Sequence, residues 1–97
     1  MLTFMVFLNW TDQGVRNLKD GPKRAEIVKG LIERNGGKLL SNYIITGQYD
    51  VAFTAEMPSG EAMTKVTIAI NASGNARTTT VRAYKVEEFG KLIGEAL

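Results

Sequence analysis

In "LTFMVFLNW", residues 2–10, Phe4, Val6, Leu8 and Trp10 fall on one side of an extended backbone, with Thr3, Met5, Phe7 and Asn9 on the other. Apolar side chains appear in both rows, which predicts a strand covered on its two faces. The following "TDQGVRNLKDG" carries turn residues at each end and reads as a loop holding one short helical turn. The pattern then changes period. In "GPKRAEIVKGLIERNGG", residues 21–37, Ala25, Val28, Leu31 and Ile32 share a helical face, Pro22 suits the first turn, and Gly36 with Gly37 supplies the stop. Gly30 inside this helix is expected to mark close packing on a sheet.

Two strand-like runs come next, "GKLLSNYIIT" (37–46) and "QYDVAFTAEM" (48–57), joined around Gly47 as an antiparallel hairpin. The segment "SGEAMTKVTIAINASG" (59–74) carries β-branched residues that favour a strand. Met63, Val66, Ala69 and Ile70 nevertheless lie on one helical face, and its length favours a helix, with Ser59 as N-cap, Glu61 at the positive end and Gly74 closing it. "NARTTTVRAYKV" (75–86) predicts the fourth strand, Thr79, Val81 and Ala83 alternating against Thr78, Thr80, Arg82 and Tyr84. "EEFGKLIGEAL" (87–97) is a short amphipathic helix through Phe89, Leu92, Ile93 and Ala96. The order is βαββαβ plus a C-terminal helix, an α+β chain of ferredoxin-like arrangement.

Two helices cover one face of a four-stranded sheet. The other face carries enough apolar surface that exposing it would forfeit about 25 cal/mol per Å². A second copy is the simplest cover, so the expectation is a homodimer, or a higher homo-oligomer, packed sheet to sheet as a dimeric α/β barrel.

Composition narrows the chemistry. Ninety-seven residues are expected to form one domain, 1–97, because a core of this size cannot be divided. No apolar run approaches the roughly 20 residues that cross a bilayer, and the apolar N-terminus lacks a basic leader and cleavage site, so no membrane partner is expected. The chain contains no cysteine, which removes disulfides, thiolate zinc and thiol nucleophiles and suits a reducing cytoplasm, the expected location. It contains no histidine either, which removes serine–histidine hydrolysis, histidine-ligated haem and ordinary zinc or non-haem iron sites; neither metal nor cofactor is expected. Twelve basic and ten acidic residues are interspersed, giving little field to steer nucleic acid. The RNA-recognition module shares this strand order, but "QYDVAFTAE" lacks the basic and glycine positions of its signature, and no nucleic-acid partner is expected.

The residues that could form a site support two readings each. Gly47 can take positive φ in a tight turn, Asp50 can accept from turn amides, and Tyr49 has a large ring with a polar tip. These are turn and boundary residues, or the rim of a small-molecule site. Arg82 is the candidate anion anchor, balanced either by Asp50 or Glu56 or by a ligand carboxylate, with Tyr84, Thr78 and Thr80 adding hydroxyls. Trp10, beside Asn9, is a core or interface anchor or part of the same lining. Lys19, Lys23 and Arg24 form a small basic group read as solvated surface. Asp50 is the acid nominated for proton transfer, which would require its desolvation.

Gly47, Tyr49 and Asp50 form the Gly–x–Tyr–Asp sequence that names the GYD-domain family. Together with "LNWTDQG" and "KDGPKR", they make nearly the whole chain resemble that family of small uncharacterised proteins. Gly47 to Arg82 also resembles the effector-binding domain of Lrp/AsnC-type regulators. That resemblance implies a dimeric α/β barrel with an amino-acid pocket between subunits, although no helix-turn-helix is present and a transcriptional role would need a separate DNA-binding partner. The set Asn9, Trp10, Tyr49 and Arg82 is similar to the lining of cofactor-independent quinone-forming monooxygenases, which share the barrel. The leading expectation is an oligomeric ligand-binding or assembly domain holding a small anionic metabolite at a subunit interface near Asn9, Trp10, Tyr49, Asp50, Arg82 and Tyr84. The alternative is a cofactor-independent enzyme, monooxygenase- or isomerase-like, acting on a small aromatic or anionic substrate.

Overall fold

The computed structural model describes residues Met1–Leu97. Strands β1 (Leu2–Trp10), β2 (Lys38–Ile44), β3 (Val51–Met57) and β4 (Ala76–Ala83) form one sheet in the order β2-β3-β1-β4. Every pairing is antiparallel. Helices α2 (Gly21–Arg34) and α3 (Gly60–Ala72) supply the covering layer, as the ferredoxin-like reading expects.

The even-numbered row of β1 builds the core. Phe4, Val6 and Leu8 join Phe53, Ala55 and Met57 of β3 against Ile32 of α2 and Ala62, Met63, Val66 and Ile70 of α3, all buried. Fully burying a large apolar side chain contributes about 1.5–3 kcal/mol, so this layer is the main source of stability. Segment 59–74 is a helix because its apolar positions all meet this core. Ser59 Oγ caps it by accepting from the Ala62 amide at 3.0 Å, and Gly74 leaves it at φ 82°. Helix α2 ends as expected before Gly36, whose φ is 83°. Gly30 departs from expectation. Nothing lies within 4 Å of where its Cβ would stand, so it marks no close approach.

The loop after β1 is more ordered than one turn. It contains helix α1 (Asp12–Arg16) and a 3₁₀ turn at Leu18–Asp20. Thr11 fastens it: its Oγ1 accepts from the Gly14 amide at 3.1 Å and donates to the Gly74 carbonyl at 2.5 Å, while its backbone N–H donates to Asn75 O at 3.1 Å. These bonds tie the exit of β1 to the entrance of β4.

Between β2 and β3 the chain turns through residues 45–50, with Gly47 at φ 110° and the Ile45 amide donating to Asp50 O at 2.9 Å. The β2–β3 register shifts between Leu39 and Ser41, which leaves Leu40 exposed in an irregularity of the edge strand. No helix covers the opposite side of the sheet. There, Thr3, Met5, Phe7 and Asn9 of β1 stand beside Glu56, Thr54 and Ala52 of β3 and Ala83, Val81, Thr79 and Arg77 of β4.

Helix α4 (Val86–Ala96) follows β4, and every residue in it is exposed. Its apolar positions were legible in the sequence, but they meet none of the molecule's own core: Phe89 is 56% exposed and Ile93 43%. No helix is long and apolar enough to cross a membrane.

Candidate functional site

Asp50 sits where the hairpin meets the end of β1. Its amide donates to Leu8 O at 2.9 Å, and its Oδ2 accepts from the Trp10 amide, also at 2.9 Å. A carboxylate at that position supplies the acceptor that β3 no longer offers, because the ladder has stopped at Leu8↔Val51. Tyr49, one residue earlier, turns to the uncovered face. Its ring lies 4.9 Å, centroid to centroid, from that of Phe7 at an interplanar angle of 32°. The Gly–x–Tyr–Asp stretch is therefore a working turn: the glycine bends, the tyrosine stacks, and the aspartate closes the sheet corner.

Arg82 lies elsewhere. It pairs with Phe4 on the helix-covered side, six positions along β1 from Trp10, which is about 20 Å in an extended strand. Its Nη1 donates to the carbonyls of Thr3, at 3.0 Å, and Ala83. Its guanidinium carbon stands 4.2 Å from the Tyr84 ring centroid and 5.8 Å from that of Phe4. Neither Asp50 nor Glu56 balances it. Within one chain, then, Arg82 and Tyr84 form one cluster, and Asn9, Trp10, Tyr49 and Asp50 another at the far end of the sheet.

A different arginine meets the second cluster. Arg77 pairs with Asn9, and both are exposed on the uncovered face, one strand over from the Phe7–Tyr49 stack. The alternation of β4 carries this signal: Arg77, Thr79, Val81 and Ala83 are one row, so the row expected from Thr79 starts two residues earlier, at Arg77. The resulting corner combines an amide, a guanidinium and two stacked rings, a lining suited to a small anionic ligand with an apolar part.

The covered side holds a second feature. A cavity of about 610 Å³ opens between α2, the Trp10–Val51 end of the sheet and the last turn of α3. Trp10, Leu31, Ile44 and Phe53 line it, so Trp10 contributes its backbone to the Asp50 corner and a wall to this cavity. Arg24 also lines it. That residue is half-buried and not the solvated charge expected from the sequence.

A four-stranded antiparallel sheet with helices on one face, a bare opposite face and a polar corner at its edge defines a small α+β module of ferredoxin-like arrangement. The GYD domain matches residues 4–93, and the chain belongs to that family. It is 27% identical over 90 residues to the "Glutamine synthetase and cystathionine beta-lyase binding protein" of Thermus thermophilus, covering 92% of this chain and 95% of that one. Among solved structures, the feast or famine regulatory protein of M. tuberculosis complexed with L-methionine superposes with a TM-score of 0.66 at 19% identity over 89% of this chain. B. subtilis LrpC gives a TM-score of 0.60 at 17% identity over 87%. This chain spans about half the length of these regulators, 52% and 51%, and the likeness to them is one of fold.

Proposed function

We propose that the chain is a self-assembling, ligand-binding module of the cytoplasm. In this reading two copies close over each other's bare sheet face, and a small anionic metabolite is held where they meet, at the corner formed by Asn9, Tyr49 and Arg77. The observation that carries the reading is the uncovered row of Met5, Phe7 and Val81, with Tyr49 stacked onto it. Surface of this kind is stabilised by a partner. Trp10 and Asp50 position the corner, and Arg82 with Tyr84 forms a separate cation–aromatic pair at the other end of the sheet.

The enzyme alternative has less support. The Asp50 oxygen that faces the chain is taken by the Trp10 amide, which is the work of a structural carboxylate. The Thermus relative is by name a binding protein and the M. tuberculosis neighbour carries an amino acid, so amino acids form the natural first panel of ligands. Native mass spectrometry of freshly purified protein, followed by identification of any released metabolite, tests both halves of the reading. A dimer retaining a small anion is expected, and a bare monomer at micromolar concentration overturns it.

A further inference from the structure

Two apolar features on the chain have no partner within it. Helix α4 is the first: Val86, Phe89, Leu92, Ile93 and Ala96 fall on one face at helical spacing, yet every residue of the helix is exposed. Helices shorter than about 12–15 residues are marginal in water, and Gly90 and Gly94 weaken this one further, so its stability has to come from docking the stripe. The second feature is the cavity of about 610 Å³ on the helix-covered side, an open groove between α2 and the Ile44 end of β2. Val28 and Leu31 line it together with Leu18, Ile27 and Ile44, which are 45%, 55% and 71% exposed. One chain does not bring the two together. Ala76, at the start of β4, lines the groove, whereas α4 follows the strand's last residue, Ala83, about 23 Å further along.

Charge points to the occupant. Segment 15–23, which borders the groove through Leu18, Gly21 and Pro22, exposes Arg16, Lys19 and Lys23 against Asp20 alone. The polar side of α4 exposes Glu87, Glu88 and Glu95 against Lys91 alone. An acidic amphipathic helix complements a basic rim, and it has the wrong sign for an anionic lipid surface.

We propose that α4 of one copy lies in the α2–β2 groove of a second copy, with Phe89 and Ile93 against Val28, Leu31 and Ile44, so that two chains clasp each other by exchanging C-terminal helices. The clasp rests on the self-association proposed above. It adds a contact on the helix-covered side, which sheet-to-sheet pairing does not reach.

Isotope-filtered NMR on an equimolar mixture of labelled and unlabelled full-length protein reads contacts between copies directly. The Phe89 ring of one copy should contact the methyl groups of Val28, Leu31 and Ile44 in the other, while contacts of Met5 and Val81 across copies report the sheet pairing separately. A dimer with sheet contacts and none from α4 to the groove overturns the clasp and leaves the earlier reading intact. Groove contacts without sheet contacts uphold the clasp and remove the sheet pairing, and a monomer overturns both. Contacts of α4 with the partner's bare face, or with the groove of its own chain, also overturn the clasp. Phe89→Glu and Ile44→Glu, at exposed positions and confirmed as folded by circular dichroism, should each weaken self-association at least tenfold in sedimentation equilibrium. Mixed in equal amounts they should recover affinity, because the intact helix of the Ile44→Glu chain meets the intact groove of the Phe89→Glu chain. A mixture that associates no better than either variant alone overturns the exchange. The NMR contacts of the unaltered chain decide the matter if a variant fails to fold.

Discussion

The Trp10 amide donates to the Asp50 carboxylate at 2.9 Å across 40 residues of sequence, joining the end of the first strand to the turn before the third. Asp50 also donates its own amide to Leu8 O and accepts from the Ile45 amide, so one residue fixes three pieces of backbone. Removing its side chain leaves a part-buried N–H without a partner. D50A should therefore lower the unfolding free energy by about 1–3 kcal/mol in urea titration, and D50N, which keeps an acceptor oxygen, by less. Equal stability of D50A and the parent would show that water replaces the carboxylate without cost.

Gly14 and Gly30 make opposite predictions from the same substitution. A Cβ on buried Gly14 would collide with the Asn75 carbonyl, where α1 is tied to the start of β4. G14A should destabilise by about 1–3 kcal/mol, as overpacking does. A Cβ on Gly30 meets nothing, and the residue lies within α2, so G30A should stabilise by about 0.5–1 kcal/mol. Thermal unfolding of the pair reads both signs at once.

Val81 tests the bare face. It is 43% exposed and pairs with Met5 in the middle of the uncovered side. V81D introduces a charge that a sheet-to-sheet interface would have to desolvate, while the free chain would leave it in water. Sedimentation equilibrium should give a dimer for the parent and a monomer for V81D, with unchanged far-ultraviolet circular dichroism. A V81D dimer of parental affinity would move the interface elsewhere.

Helix α4 supplies a further test. Its exposed residues add little to the fold of one chain, so a protein ending at Lys85 should retain the parent's urea midpoint within about 0.5 kcal/mol when both are monomeric, in keeping with the small effect of surface changes. The oligomeric state, in contrast, should change if the apolar stripe of Phe89, Leu92 and Ile93 has a seat on another copy.

Much of this architecture was readable from periodicity and caps. Segment 59–74 offered both a strand and a helix pattern, and its length with Ser59 and Gly74 decided correctly, because caps are local and the core needed only the stripe. The sites were harder, since they depend on register. Arg82 and Arg77 differ by five positions on one strand, an odd number, and so face opposite sides of the sheet; only the pairing of Phe4 with Arg82 and of Asn9 with Arg77 reveals which one joins the turn. Arg24 had a local signal. It stands four residues before Val28 and seven before Leu31, in the stripe where an apolar residue belongs, yet a charge beside Lys23 reads naturally as surface. The 40-residue bond from Trp10 to Asp50 had none, because each partner looks ordinary by itself.

The slipped register at Leu39 and Ser41 bears on how the molecule can grow. A straight outer strand would invite neighbouring chains to add on indefinitely, edge against edge, as fibrils do. Here the outermost ladder is broken near its start, so a newcomer finds no continuous row of free amides and carbonyls to copy. The β2 side of the sheet is thereby a poor template for edge-to-edge growth, which leaves the unbroken β4 strand as the edge more open to such pairing.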